Sequence, residues 1–161
     1  MYTLRCEMHA AVPIEEAFRV FEDPLNLAKV TPSWLNFRVT SDSVKLRSGA
    51  EITYRIAWMG IPMSWKTLIA EYDPPRRFID EQARGPYTLW RHRHDFREED
   101  GGTVISDHVD YILPLGPLGK LAHALMVKRQ LRQIFRFRQE AIAGLLGGAK
   151  TTFTEPVITA R

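Results

Sequence analysis

Two histidines and an aspartate occupy positions from which their side chains could act together. His92 and His94 lie two residues apart in an alternating stretch, and Asp107 lies in a second alternating stretch that follows Asp100 and Gly101. Because side chains alternate along a strand, the two imidazoles share one face. An Asp-Gly pair favours the positive φ angles of a two-residue hairpin turn, which places His94 opposite Asp107. This pattern predicts a site where imidazole and carboxylate groups bind a metal ion, transfer a proton or hold a polar group.

A metal site is one use of these side chains. His92, His94 and Asp107 would supply three ligands and leave a coordination position open for an activated water. However, metal-bound histidines usually have further polar partners behind them. The other side chains on this face are apolar or aromatic, namely Trp90, Phe96, Val109 and Tyr111. We therefore expect no metal ion and no other cofactor.

An acid–base pair is a second use. Asp107 opposite His94 could orient the imidazole and raise its pKa, so that His94 donates and accepts protons. The sequence contains no evident serine or cysteine nucleophile beside a base, and no glycine-rich phosphate loop. Under this interpretation His94 and Asp107 are the catalytic residues.

Two predicted hairpins and the strand between them position this face. In the hairpin that turns at Asp100-Gly101, the apolar faces of both arms coincide. The other hairpin, with a turn at Gly60-Ile61, also matches its faces. Its predicted pairs are Trp58 with Met63, Ile56 with Trp65 and Tyr54 with Thr67. Residues 77–83 form the intervening strand, and an extra loop residue at Gly85-Pro86 would bring Asp80 beside His92 and Gln82 beside Trp90.

The rest of the chain predicts a mixed α and β domain. Residues 2–10 alternate as a strand, a helix starts at Pro13, and a second short helix starts at Asp23-Pro24 and ends near residue 30. Residues 35–39 alternate as a further strand. A long helix spans residues 117–146, and residues 148–161 are expected to form a tail.

The long helix carries two apolar sets that are out of phase. In its second half the apolar residues form one stripe, whereas Leu118, Leu121 and Leu125 lie on the opposite side. Either the helix bends near residues 126 and 127, or these leucines form an exposed patch. Such a patch would contact a membrane surface or a second copy of the chain.

Composition narrows the class of protein. The chain has 161 residues, 45% of them hydrophobic and 25% charged, with a net charge of +3. These values predict one globular domain. A single cysteine, Cys6, excludes an internal disulfide, and without a membrane span or signal peptide a cytoplasmic protein is expected. Acidic residues dilute the arginines of the predicted sheet, so we expect no nucleic-acid partner.

Several segments resemble bacterial SRPBCC proteins, the superfamily of START lipid-transfer domains and polyketide cyclases. The matching segments are residues 74–78, 80–82, 85–87, 90–96 and 116–123. The nearest branch resembles stand-alone members related to a domain fused to an epimerase of the cell-division-inhibitor type. The resemblance covers about residues 1–147 and implies an α+β helix-grip fold, in which a curved antiparallel sheet of about six or seven strands surrounds the C-terminal helix and leaves a cavity.

The resemblance implies binding or transport of a small hydrophobic or lipid-like molecule in that cavity, without catalysis. The expected ligand-binding residues are Tyr54, Ile56, Trp58, Trp65, Ile69, Asp80, Gln82, Trp90, His92, His94, Phe96, Asp107, Val109 and Tyr111. The alternative that the resemblance implies is a cyclase or dehydratase, in which His94 and Asp107 move protons on a bound ketone or enol.

Overall fold

A computed structural model describes residues 1–23, 25–41 and 45–161. Over these residues the strands form one antiparallel sheet of nine strands, in the order β2-β3-β4-β5-β6-β7-β1-β8, with β9 also paired to β1. The strands are β1 (Tyr2–Ala10), β2 (Arg38–Val39), β3 (Glu51–Trp58), β4 (Ile61–Asp73), β5 (Arg77–Arg84), β6 (Leu89–Glu99), β7 (Gly102–Ile112), β8 (Thr151–Phe153) and β9 (Val157–Ala160). The register of β4 on β5 shifts twice, and such bulges bend a strand and increase its twist. The predicted helix-grip fold is confirmed.

Helices cover one face of this curved sheet. They are α1 (Ile14–Glu22), α2 (Asn26–Lys29), α3 (Gly116–Ala122) and α4 (Lys128–Leu145), and a 3₁₀ turn spans Ser33–Leu35. The helix predicted from residue 13 is present as α1. The second helix is only one turn long, and of its predicted Asp23-Pro24 start, Pro24 lies outside the described residues. The strand predicted over residues 35–39 is reduced to the two residues of β2.

The β6–β7 hairpin has the predicted register. Asp100 and Gly101 form the turn with φ angles of 50° and 72°. His94 lies opposite Asp107, and Trp90 lies opposite Tyr111. Strand β5 also pairs as predicted, with Asp80 beside His92.

The β3–β4 hairpin turns one residue earlier than predicted. Its turn residues are Met59 and Gly60, with φ angles of 51° and 81°, and Trp58 therefore pairs with Ile61 instead of Met63. Both central residues of the observed turn have a positive φ, and Gly60 adopts one of these positions without the steric cost that a side chain would bring. Because the register moves by two residues, every side chain keeps its predicted face.

The long helix changes phase through a π-helical turn. The turn spans His123–Val127 and connects α3 to α4 without a break. A π turn contains an extra residue, so the face that packs on the sheet rotates there. The sequence offered a bend near residues 126 and 127 or an exposed leucine patch, and the structure has features of both. The helix is irregular at residues 126 and 127, and three leucines are exposed by 68%, 57% and 74%, namely Leu118, Leu121 and Leu125.

The predicted tail is part of the sheet. Strands β8 and β9 both pair with the outer edge of β1, and Ile158 is buried there. Gln139 of α4 donates its amide to the backbone oxygens of Glu7 and Thr154. The segment expected to be a tail thus contains two strands, whose backbone groups pair with the edge of β1 that would otherwise be exposed.

The core divides along the sheet. Val127, Leu131 and Phe135 of the long helix pack against the β1 and β7 side, where they join a cluster that includes Leu4 and Tyr111. A separate cluster on β3 and β4 contains Ala50, Ile52 and Ile69, and among the described residues no side chain of the long helix belongs to it. The helix thus covers one half of the sheet and leaves space over the other.

The π turn also buries a histidine, which leads to a prediction on pH. His123 lies 2.7 Å from the Tyr111 hydroxyl and stacks on Tyr2. Burial and the nearby Lys128 hold the pKa of His123 below its ordinary value. The folded state therefore binds fewer protons at this site than the unfolded state, so its contribution to stability is present above pH ~6.5 and is lost as the pH falls below that value.

We expect His123→Phe to lower the free energy of unfolding at pH 7.5 by about 1–3 kcal/mol, because the buried Tyr111 hydroxyl loses its partner. The difference between wild type and variant should shrink between pH 7.5 and pH 5, measured by urea denaturation. A difference that stays constant over this range would show that His123 does not titrate as described.

Candidate functional site

A cavity of about 420 Å³ fills the space between the long helix and strands β3 and β4. Helix α1 and the segment that follows it close one end, where Phe21, Leu27 and Val30 line the wall. Leu115 and Leu118 lie at the start of the long helix, where both line the cavity and are exposed. The wall is mainly apolar, and apart from Asp23 beside α1 its charged or imidazole side chains lie on β5, β6 and the facing side of α4.

Nine of the fourteen residues predicted from the sequence line this cavity. They are Tyr54, Ile56, Trp58, Trp65, Ile69, Asp80, Trp90, His92 and His94. All nine are on β3, β4, β5 or β6, and their side chains point to the face of the sheet on which the long helix lies.

The other five predicted residues are not on the wall. Phe96 packs against Phe18 and Phe21 under α1. Val109 and Tyr111 are fully buried beneath the long helix. Gln82 instead makes two hydrogen bonds with the backbone of Tyr87. These side chains point to the inward face of the sheet, but they pack against helices or bond to the β5–β6 turn and therefore do not reach the cavity.

Asp107 is the fifth residue and lies behind the imidazoles. Its Oδ1 is 2.9 Å from His92 Nε2 and 2.8 Å from His94 Nδ1. The contact with His92 is a hydrogen bond, whereas the direction of His94 Nδ1 is poor for one. The other carboxylate oxygen accepts a weak bond from the Cys6 thiol, and burial raises the pKa of that thiol. Asp107 therefore positions the histidines and does not contact the cavity itself.

Asp80 faces the same histidines from the cavity side. Its Oδ2 is 3.1 Å from His94 Nε2 and 3.5 Å from His92 Nδ1. The centroids of the two rings are 3.8 Å apart with the ring planes tilted by 41°, and His94 is only 1% exposed. Two carboxylates thus enclose two imidazoles in a compact cluster.

Burial and mutual contacts set the charges of this cluster. Burial would raise the pKa of Asp107, but its close contacts with His92 and His94 outweigh that effect and hold the pKa well below its usual range. Burial also opposes the charge of His94, yet its contacts with Asp107 and Asp80 raise its pKa. Burial together with the charge of His94 lowers the pKa of His92 to about 4. These contacts favour the ionised form of both carboxylates, the charged form of His94 and the neutral form of His92.

Sequence reasoning missed Arg138, which lines the cavity from α4. Its guanidinium lies over the Phe21 ring, 5.7 Å from the centroid, and its Nε is buried without a hydrogen-bond partner. Burial would raise the pKa of Asp80, but His92, His94 and Arg138 together hold that pKa below its ordinary value. The signal was available, because Arg138 lies at the centre of the apolar stripe, four residues from both Ile134 and Ile142.

Several other polar groups of the cavity wall are hydrogen-bonded to one another. Trp58 Nε1 donates to Gln130 Oε1 at 2.6 Å. Trp65 Nε1 donates to the Thr67 hydroxyl, which also lies 3.2 Å from the Tyr54 hydroxyl. Two buried nitrogens without a hydrogen-bond partner, His94 Nδ1 and Arg138 Nε, belong to residues of this wall.

Three side chains of the cluster have the spacing of a metal-binding group. One ligand atom from each of Asp80, His92 and His94 lies within 4.8 Å of the other two. The sequence suggested Asp107 as the third ligand, but Asp80 occupies that place.

None of the helices in the described ranges combines the length and hydropathy needed to cross a membrane.

Solved structures share this fold at low sequence identity. Protein Ms6760 from Mycobacterium smegmatis matches with a TM-score of 0.65 and 21% identity, covering 91% of each chain. TTHA0849 from Thermus thermophilus matches with a TM-score of 0.66 and 21% identity, covering 91% of this chain and 97% of that chain. A nucleoside-diphosphate sugar epimerase from Corynebacterium glutamicum matches with a TM-score of 0.64 and 20% identity, covering 89% of this chain but only 29% of the epimerase.

The epimerase shows that the same fold also occurs as one part of a longer protein, as the resemblance in sequence implied. No curated protein matches the chain at a significant level. The family described as polyketide cyclase/dehydrase and lipid transport matches residues 10–138. This match covers most of the chain, and the solved structures share its fold. The chain therefore belongs to this family, within the SRPBCC superfamily.

Proposed function

We propose that this protein binds or transports a small hydrophobic or lipid-like molecule in the cavity between its sheet and its long helix. The observation that supports this most directly is the cavity itself, whose volume of about 420 Å³ lies within the range of ligand pockets. A packed core would have no such space, since protein interiors contain few voids larger than a water molecule. Burial of an apolar molecule against this wall is favourable because it removes apolar surface from water.

The ligand's polar end is proposed to lie at the histidine cluster. Asp80, His92 and His94 line the cavity there, and Arg138 faces them from the helix. Ligand pockets commonly combine an apolar wall with a few polar groups that fix orientation. A molecule with an apolar body and one oxygen-bearing end fits this distribution.

The aromatic wall is proposed to hold the apolar body. Three of the four tryptophans of the chain, Trp58, Trp65 and Trp90, line the cavity together with Tyr54 and Tyr87. Trp65 and Trp90 meet edge to face at 5.5 Å, and Tyr54 stacks on Trp65. Rings held by such contacts form a firm wall for a flat or extended ligand.

The exposed leucines of α3 and the π turn lie near the cavity entrance. Leu118 both lines the cavity and is exposed, and Leu121 and Leu125 continue the apolar surface away from it. Contact of this surface with a membrane or with a second copy of the chain stays a prediction.

Native mass spectrometry followed by organic extraction tests the proposal. Protein freed of ligand by organic extraction and refolding is expected to take up one apolar molecule per chain from a lipid mixture. Recovery of that molecule unchanged supports a carrier. Recovery of a chemically altered molecule would instead favour a cyclase or dehydratase that uses the histidine cluster. Failure to take up any apolar molecule would contradict both.

A further inference from the structure

The spacing of atoms around Asp80 matches that of ligands around a metal ion. Two ligands that each lie about 2.1 Å from an ion are about 3.0–3.5 Å from each other in octahedral or tetrahedral geometry. Asp80 Oδ2 lies 3.1 Å from His94 Nε2 and 3.5 Å from His92 Nδ1. One ligand atom from each of the three side chains lies within 4.8 Å of the other two, so all three can approach a single ion. We propose that Asp80, His92 and His94 bind a divalent transition-metal ion at the wall of the cavity.

The contacts behind the histidines support this assignment independently. In metal sites the second ring nitrogen of a ligating histidine usually contacts a carboxylate, which fixes the ring and raises its basicity. Here Asp107 Oδ1 lies 2.9 Å from His92 Nε2 and 2.8 Å from His94 Nδ1. One buried carboxylate therefore lies behind both rings, on the side away from Asp80. The sequence argued against a metal ion because no polar partner behind the histidines was evident, and Asp107 is such a partner.

The charges at the site also suit a dication. Asp107 is buried and the Asp80 side chain is 18% exposed, and carboxylates removed from water in this way are stabilised by nearby positive charge. A bound dication would balance them with both imidazoles neutral. The charge of Arg138 would then be available to an anionic ligand atom.

The donor set indicates which ions would bind. Two imidazoles and one carboxylate suit Zn²⁺ and Fe²⁺, whereas Mg²⁺ and Ca²⁺ prefer oxygen ligands alone. Three protein ligands leave one or more coordination positions open. Since all three ligand residues line the cavity, an oxygen of a bound molecule or a water would occupy those positions. Metal binding at these residues does not depend on the proposed apolar ligand, and it can be tested with the metal ion alone.

The test uses untagged protein dialysed against a chelator and titrated with ZnCl₂ by calorimetry. One ion per chain is expected in the wild type. Asp80→Asn and His92→Gln should each weaken binding at least ~10-fold, because each removes a ligand, and Asp107→Asn should weaken it about 10- to 100-fold while the stoichiometry stays at one.

His108→Gln provides a matched control. His108 lies on β7, 3.5 Å from Asp110, so it is also an imidazole next to a carboxylate, but it points to the other face of the sheet. Its substitution is expected to leave zinc affinity unchanged. X-ray absorption at the zinc edge should show two imidazoles in the first shell of the wild type, a result that does not depend on the folding of any variant. Absence of saturable binding, a shell without imidazoles, or loss of binding in His108→Gln with retention in Asp80→Asn would overturn the proposal.

Discussion

Replacement of Ala122 by tryptophan is expected to lower the affinity for an apolar probe at least tenfold, a loss of about 1.4 kcal/mol or more. Ala122 is the last residue of α3 and lines the cavity. An indole at this position would occupy space that the ligand needs. Because it enters a cavity instead of a packed core, the substitution should not cause the strain that overpacking usually produces.

Ala124→Trp is the control for this prediction. Ala124 lies two residues further along the same helix, is exposed and is not part of the cavity wall. It should bind the probe with wild-type affinity. Both variants can be titrated with a fluorescent long-chain fatty-acid analogue. Equal affinities in the two variants would mean that the ligand binds elsewhere.

Removal of Asp107 is expected to give the largest loss of stability. Asp107→Ala should lower the free energy of unfolding by about 3–5 kcal/mol, because it leaves His92 and His94 buried without their shared carboxylate. The Cys6 thiol also loses its contact. Urea denaturation at neutral pH measures the effect.

Asp110→Ala is the matched comparison on the same strand. Asp110 accepts a hydrogen bond from Thr3 and lies near His108, but it is partly exposed on the outer face of the sheet. Its loss should cost about 1 kcal/mol or less, as for other solvent-accessible ion pairs. If Asp107→Ala were no more destabilising than Asp110→Ala, the buried cluster would not contribute to the stability of the sheet.

Local turn chemistry explains why the site strands were predictable. Asp-Gly is a strong signal for a two-residue turn, and with Asp100-Gly101 as the turn, the pairing of His94 with Asp107 follows from alternation. At the β3–β4 hairpin two neighbouring turns were possible. Each side chain faces the same side of the sheet with either turn, so the apolar pattern does not distinguish them. A type II′ turn would also accept Gly60-Ile61, so the pattern of apolar residues does not decide in favour of the observed Met59-Gly60 turn.

Tertiary packing explains the errors at the site. The strand pattern shows that Phe96, Val109 and Tyr111 face inward, but only the placement of the helices decides whether they line a cavity or a core. Arg138 was overlooked because a single charged residue within an apolar stripe is easily read as an interruption. Strands β8 and β9 form because the edge of β1 offers backbone partners. The short segment that contains them shows no strand pattern strong enough to be predicted without that edge.

Energy transfer from tryptophan to a bound probe tests most directly whether the space between the sheet and the long helix accepts a ligand. Three tryptophans line the cavity, so a fatty-acid analogue that absorbs their emission should quench it when bound. The structure predicts saturable quenching of the wild-type protein at one probe per chain. Quenching that rises without saturation, or that saturates only at several probes per chain, would contradict an internal binding site.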